Sequence, residues 1–432
     1  MRTRTATAAG ALLTSVALLA TACGGSDSDP SGSGSGTITL WARDAQKGFI
    51  NLVADAWNKD HDTKVKVTVV PAANFVQKFG TAAAGGSGPD VASIDLVYLP
   101  YFASTGVLDD ITELENKLPY KDDLSAAHRR LATYNSRTYA LPFTAEASVL
   151  FYNKDLFRKA GLDPDKPPAD YAEIVSAAQR IRALGKDTYG YAIAGQCGSC
   201  NVFEFTPHIW ASGGDVLSAD GKKALFDTSE VTDALTFYRK LYTDGSMPAQ
   251  SRTDTGTTQP AFFQSGKLGM TPLGAFFVQV LNKDDKVDFG VAPLPGKDGG
   301  SASFAGGDEI AVTKNAKNKA QAQEFVKWAT GEQAQTVLAD NGVVPVRTDL
   351  IDKIYVPLDP RYKVLGEAME KGRTPYSTVE NALFNDNNGP WAKMINRAVF
   401  DGDIAQAQEE GQQAAQSIID DAPGAPGAPG AP

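Results

Sequence analysis

The strongest constraint on this chain is a change of hydrophobic period repeated between residues 37 and 97. "TITLWAR" (37–43) reads as a strand. "FINLVADAWNKDH" follows, with Phe49, Leu52, Val53, Ala56 and Trp57 spaced as one face of a helix. "KVKVTVV" (64–70) alternates and is β-branched, so it reads as a second strand. "NFVQKFGTAAAGG" reads as a helix closed by glycine, and "PDVASIDLV" as a third strand. Parallel neighbours cannot be joined by a tight turn, and each strand here is followed by a helix-length connection. A β-α-β-α-β order therefore implies a parallel sheet with helices on its faces.

Further helices are expected downstream. "PPADYAEIVSAAQRIRALG" places Tyr171, Ile174, Val175 and Ala178 on one face and stops at Gly185. "NKAQAQEFVKWATG" does the same with Ala322, Phe325, Val326 and Ala329. A last helix is expected from about Ile404 to Ile419.

In an open α/β sheet, ligands bind beyond the carboxyl ends of the strands. That rule selects Arg43 and Asp44 after the first strand and Asp95 near the end of the third. Aromatic residues also fall outside the helical faces, at Trp210, at Phe276 and Phe277, and at Trp391. Loop aromatics often only cover a core. A sugar, however, needs this mixture, because its C–H faces stack on rings while its hydroxyls bond carboxylates, amides and guanidinium groups.

Residues 1–22 carry Arg2 and Arg4, no acidic residue and an apolar centre. They read as a secretory signal peptide, too short in its apolar core to span a bilayer. "LATAC" then resembles the bacterial lipobox, whose cysteine is acylated, although the usual Leu three residues before the Cys is Ala20 here. Cys23 is thus the expected lipid anchor. Residues 24–36, "GGSDSDPSGSGSG", form a flexible tether with a typical span of about 20 Å. The chain carries a net charge of −10, and loss of Arg2 and Arg4 would make it −12. That balance argues against a nucleic-acid partner. "APGAPGAPGAP" at the end is Pro/Gly low complexity, expected to be disordered over 421–432.

Four stretches together resemble family 1 extracellular solute-binding proteins, the maltose-binding-protein-like receptors of ABC importers. They are "GSGPDVASIDLVYLPYFASTGVLDDIT", "YALPFTAEASVLFYNKDLFRKAGL", "IWASGGDVL" and "SFAGGDEIAV". The run from Tyr152 to Phe157 is the most specific of them. The resemblance implies an α/β, two-lobed, periplasmic-binding-protein-like fold with a hinge and an interlobe cleft. Residues 37–144 plus 307–343 would make lobe 1, and 145–303 plus 344–420 lobe 2. The crossings would lie near Thr144, Gly306 and Val344.

The same resemblance implies a ligand set of Arg43, Asp44, Asp95, Glu146, Trp210, Phe276, Asp308 and Trp391. It implies a carbohydrate ligand, ABC permease subunits in the membrane as partners, a monomer, and an address on the extracytoplasmic face of the cell membrane. No cofactor, metal or catalytic residue is expected.

Outside the membrane, Cys197 and Cys200 in "GQCGSCN" read as a local disulfide. The three histidines, His61, His128 and His208, are scattered, and no G-x-S-x-G or P-loop pattern occurs. A glycoside hydrolase needs only two carboxylates and stays open as a second reading. A receptor for a non-sugar solute is a third.

Overall fold

The structure is a computed structural model that describes residues 36–422. The signal segment, Cys23, nearly all of the tether and the tail from residue 423 lie outside the described residues.

The opening elements form as their periodicity requires. Strand β1 (Thr37–Arg43) buries Ile38, Leu40 and Ala42 on one face. It pairs in parallel with β2 (Lys64–Val70), from Thr37 against Lys64 to Arg43 against Val70. On its other side it pairs in parallel with β3 (Val91–Asp95), Leu40 against Val91. Helices α1 (Lys47–Asp60) and α2 (Ala72–Ala84) make the two crossovers.

The buried stripe of α1 is Ile50, Val53, Ala54 and Trp57, not the expected set. Leu52 is exposed and Phe49 is half-buried. Both stripes have helical spacing, so the pattern fixed the helix without fixing which side faces inward. The later helices match their expected faces more closely. Ala322, Phe325, Val326 and Ala329 are all buried, and Asp170 caps Tyr171–Arg182 by accepting from the Glu173 N–H at 2.7 Å.

Two long strands organise the rest. The first runs Leu141–Asn153, and the second Gly299–Val312. They pair antiparallel from Ala305 against Ala147 to Ile310 against Leu141. The second strand also pairs with β3, Asp308 against Asp95 through Val312 against Val91. The first continues past this pairing to meet strands Leu268–Gly274 and Phe289–Ala292. Each long strand therefore belongs to both ends of one mixed sheet.

Among the described residues the core falls into four clusters. Ile38, Leu40, Trp57, Phe143 and Phe325 pack at one end. Tyr171, Phe205, Tyr238 and Trp391 pack at the other. Between them, Ala145 pairs with Gly307 on one side and bridges Val344 on the other. Three chain segments thus pass side by side at one narrow waist. The buried imidazole of His128 braces it, spanning from the Gly306 carbonyl to the Glu309 carboxylate at 2.9 Å each.

Gly307 sits at φ +123° in this waist, and a Cβ there would stand 2.0 Å from the Thr144 carbonyl oxygen. Neither the conformation nor the space admits a side chain. Gly307→Ala is expected to lower stability by about 2 kcal/mol or more, read as a drop in the urea midpoint of unfolding.

Candidate functional site

The strand register assembles a polar cluster at the waist. Arg43 is the last residue of β1, Asp95 the last of β3, and Asp308 is directly paired with Asp95. Arg43 Nη1 donates to Asp95 Oδ2 at 2.7 Å, and Nη2 donates to Asp308 Oδ1 at 2.9 Å. Gln46 Nε2 donates to Asp308 Oδ2 at 2.5 Å. Burial by itself would lower the Arg43 pKa, but the two carboxylates more than offset this and raise it. Asp308 is raised by burial, with Arg43 and Gln46 pulling the other way.

This cluster lines one wall of a cavity of about 610 Å³ between the two ends of the sheet. The long strands contribute Thr144, Ala145, Glu146 and the Gly306–Asp308 segment. Glu146 is the one residue of Leu141–Asn153 that keeps some exposed surface, although its carboxyl group is largely enclosed. Its carboxylate accepts from the Phe276 N–H at 3.2 Å. Burial pushes its pKa up to about 8 against that single hydrogen bond. The opposite wall carries Phe203, Phe276, Phe304, Glu380 and Asn385. Phe276 is 54% exposed, and Phe203 and Phe304 sit 5.2 Å apart between ring centres.

Glu380 is buried, and burial, followed by the nearby Asp95, pushes its pKa up to about 8. Asn385 Nδ2 donates to its Oε2 at 2.7 Å, while Oε1 has no partner. Cys197 and Cys200 form a disulfide with S–S 2.00 Å. The helix that this disulfide pins at its start, Gly198–Glu204, contains Cys200 and brings Ser199, Val202 and Phe203 to the cavity. The Gly198 N–H donates to Asn387 Oδ1 at 2.8 Å, which ties this wall to the segment carrying Glu380 and Asn385.

Of the expected ligand set, Arg43, Asp95, Glu146, Phe276 and Asp308 meet in this cavity. Asp44 does not line it. Asp44 is exposed and accepts from the Ala72 N–H at 3.1 Å, so it serves the start of α2. Trp210 lies behind the wall: its Nε1 donates to Asp215 at 2.8 Å and its ring faces Phe304 at 6.2 Å. Trp391 is fully buried among Phe226, Phe384 and Phe205, so no ligand can stack on it.

Sequence reasoning missed Gln46, Phe49, Phe203, Phe304, Glu380 and Asn385, all of which line the cavity. Gln46 and Phe49 follow β1 closely enough that the strand-end rule could have found them. Nothing local marks Glu380. The aromatic rings and the polar groups are the two chemistries a polyhydroxylated ring requires.

A family model described as bacterial extracellular solute-binding protein matches residues 42–336. A binding protein of Brucella abortus (strain 2308) is 28% identical over 290 residues, covering 65% of this chain and 68% of that protein. The diacetylchitobiose binding protein DasA of Streptomyces coelicolor is 27% identical over 328 residues, covering 72% of this chain and 73% of its own. Among solved structures, the cyclic alpha-maltosyl-1,6-maltose binding protein from Arthrobacter globiformis superposes with a TM-score of 0.77. It is 25% identical and covers 89% of this chain and 99% of its own. The α/β, two-lobed fold with a cleft at its waist is shared with these structures.

Two expectations follow from the geometry. Trp391→Ala should cost about 3–5 kcal/mol of stability, whereas Phe276→Ala should stay within about 0.5 kcal/mol, both by urea unfolding.

The second concerns pH. Glu146, Glu204 and Glu380 hold their protons to about pH 8 in the folded chain, whereas an unfolded glutamate releases its proton near 4.5. The stability they confer is full below 4.5 and drains as pH rises to 8. His208, buried and lowered to about 4, works oppositely between 4 and 6.5. The urea midpoint of the empty protein should therefore fall between pH 6.5 and 8, and fall less in Glu380→Gln.

Proposed function

The chain belongs to the bacterial extracellular solute-binding protein family, and from that premise we propose that it captures a di- or oligosaccharide for an ABC importer. The observation that carries this reading is the cavity at the waist. It combines the Arg43–Asp95–Asp308 cluster with the rings of Phe203, Phe276 and Phe304. The relatives whose ligands are known from their names bind diacetylchitobiose and a cyclic maltosyl-maltose. That supports a sugar over other solutes.

The lobes would divide at the waist, with 37–144 plus 307–343 on one side and 145–303 plus 344–420 on the other. The meeting of Ala145, Gly307 and Val344 supports that division. The sugar would draw the two lobes together by a hinge and shift an open–closed equilibrium toward the closed form. The closed form would be what the permease subunits receive. The body would work as a monomer on the extracytoplasmic face of the membrane, held there through Cys23.

Release of the sugar unchanged fits the site better than hydrolysis. A glycosidase needs one protonated carboxyl and one ionised carboxylate flanking the bond. Glu146 and Glu380 are both pushed up, and the other two carboxyl groups of the cavity, Asp95 and Asp308, are each engaged by Arg43.

A thermal-shift and calorimetry screen over α- and β-linked oligosaccharides tests this. A ligand at 100 times its Kd should add about 2.7 kcal/mol of stability. X-ray scattering should show a smaller radius with that ligand, and chromatography should recover it intact. Phe276→Ala and Glu146→Gln should each weaken the response. Cleaved sugar would replace this reading with the hydrolase, and a panel with no binder would end the carbohydrate assignment.

A further inference from the structure

Cations are scarce around the cavity. Among its described lining residues, Arg43 is the one cation, while Asp95, Glu146, Asp308 and Glu380 are four carboxyl groups. Arg43 is committed, with one Nη to Asp95 and the other to Asp308. Neither Glu146 nor Glu380 therefore has a cation. Glu146 at least accepts a backbone N–H. Glu380, which lines the cavity, accepts one side-chain amide on Oε2, and its Oε1 is buried without a partner.

The position of Glu380 narrows what could complete it. Tyr98, three residues after Asp95, donates its hydroxyl to Asn381 Oδ1 at 3.3 Å. That contact brings the Asp95 segment against the Glu380 segment. The groups facing Glu380 are thus Asp95, with Arg43 beyond it, the Tyr98 phenol and the Asn385 amide. Burial, then Asp95 and Glu380, pushes the phenol up to about 12, so it stays neutral at working pH. The subsite is acidic, poor in donors and withdrawn from water. A neutral hydroxyl can donate one hydrogen bond there and does nothing for the charge. An ammonium group supplies two or three donors and a positive charge beside which Glu380 can ionise. A carboxylate or phosphate on the ligand would find no free cation, since the single guanidinium is already engaged by Asp95 and Asp308.

We propose that the sugar taken by this cavity carries a basic nitrogen, seated as an ammonium at Glu380 with Asp95 beside it. The proposal rests on the sugar-binding reading and sharpens it to amine-bearing oligosaccharides. Binding is coupled to one proton. In the empty cavity Glu380 is protonated at pH 7, since its carboxyl titrates near 8. Seating the ammonium ionises Glu380, and the proton leaves to solvent. Affinity for the amine then falls about tenfold for each pH unit below that point, while affinity for a neutral sugar does not.

The test is calorimetry of the mature protein with matched β-1,4 trisaccharides: cellotriose, tri-N-acetylchitotriose and fully de-N-acetylated chitotriose. Maltotriose and trigalacturonate complete the set. De-N-acetylated chitotriose should bind at least tenfold more tightly at pH 7 than either neutral β-1,4 form, and trigalacturonate should not bind. Once the titration of its own amines, measured on the free trisaccharide, is divided out, the amine form's affinity should drop about tenfold between pH 7 and pH 6. Glu380→Gln should bring the amine and hydroxyl forms within about threefold of each other. If that variant does not fold, the pH dependence of the wild-type chain decides alone. Neutral trisaccharides binding as tightly as the amine, or an amine affinity that is flat from pH 7 to 6 after that correction, would overturn the amine assignment and leave the sugar reading standing. No binding by any member would overturn both.

Discussion

The antiparallel pairing of Leu141–Asn153 with Gly299–Val312 is the constraint on which the molecule depends. Both strands run through both ends of the sheet, so neither end can complete its hydrogen bonding alone. Separate hydrophobic clusters lie toward the two ends, and a further one, with Ala145, Ala305 and Val344, packs at the pairing itself. There Ala145 pairs with Gly307 on one side and bridges Val344 on the other. Gly307 makes this meeting possible, because any Cβ at that position would collide with the Thr144 carbonyl and push the strands apart.

The same pairing places the polar cluster. Asp308 lies opposite Asp95 because of strand register, and Arg43 reaches both because β1 ends one strand away. Asp308 is buried and Arg43 and Asp95 are partly so, and only good geometry makes such a desolvated cluster tolerable. Here each Nη has its own carboxylate within 3 Å, and Gln46 takes a remaining oxygen of Asp308. Removing one member would strand the others, at a cost of about 3–5 kcal/mol for a buried pair. The cluster is therefore both a structural tie between three strands and the floor of the cavity. Its guanidinium is already spoken for when a ligand arrives.

Much of this was legible in the chain, and the limits have physical causes. Strand alternation and strand ends were local signals, so β1, β2, β3, Arg43 and Asp95 could be read directly. Glu146 and Asp308 came from the motif resemblance and do meet at the cavity. The face of α1 was misread because Phe49-Leu52-Val53 and Ile50-Val53-Ala54 have the same spacing. Asp44 was placed by adjacency to Arg43, yet successive residues leave a strand in opposite directions, and its carboxylate turns to Ala72 instead. Trp210 and Trp391 were chosen because large rings stack well on sugars. Large rings also fill cores well, and Trp391 sits in the aromatic centre of its lobe. Glu380 and Phe304 gave no signal, because their place in the cavity depends on contacts made between distant parts of the chain.

Glu146 and Glu380 show why such residues resist prediction. Twelve of the thirteen positions in Leu141–Asn153 are buried, and the exception is a carboxyl group with one hydrogen-bond donor. Glu380 keeps a buried oxygen with no donor at all. A glutamine or an apolar side chain would be cheaper at either position in the empty protein, since both carboxyls must hold a proton that water would readily accept. Local propensity and burial argue against a charge-forming group in both places. Their cost to the empty fold can be offset only by something that enters the cavity and supplies donors. A sequence read for foldability alone will pass over the residues that are poor choices for folding, and here those residues line the cavity.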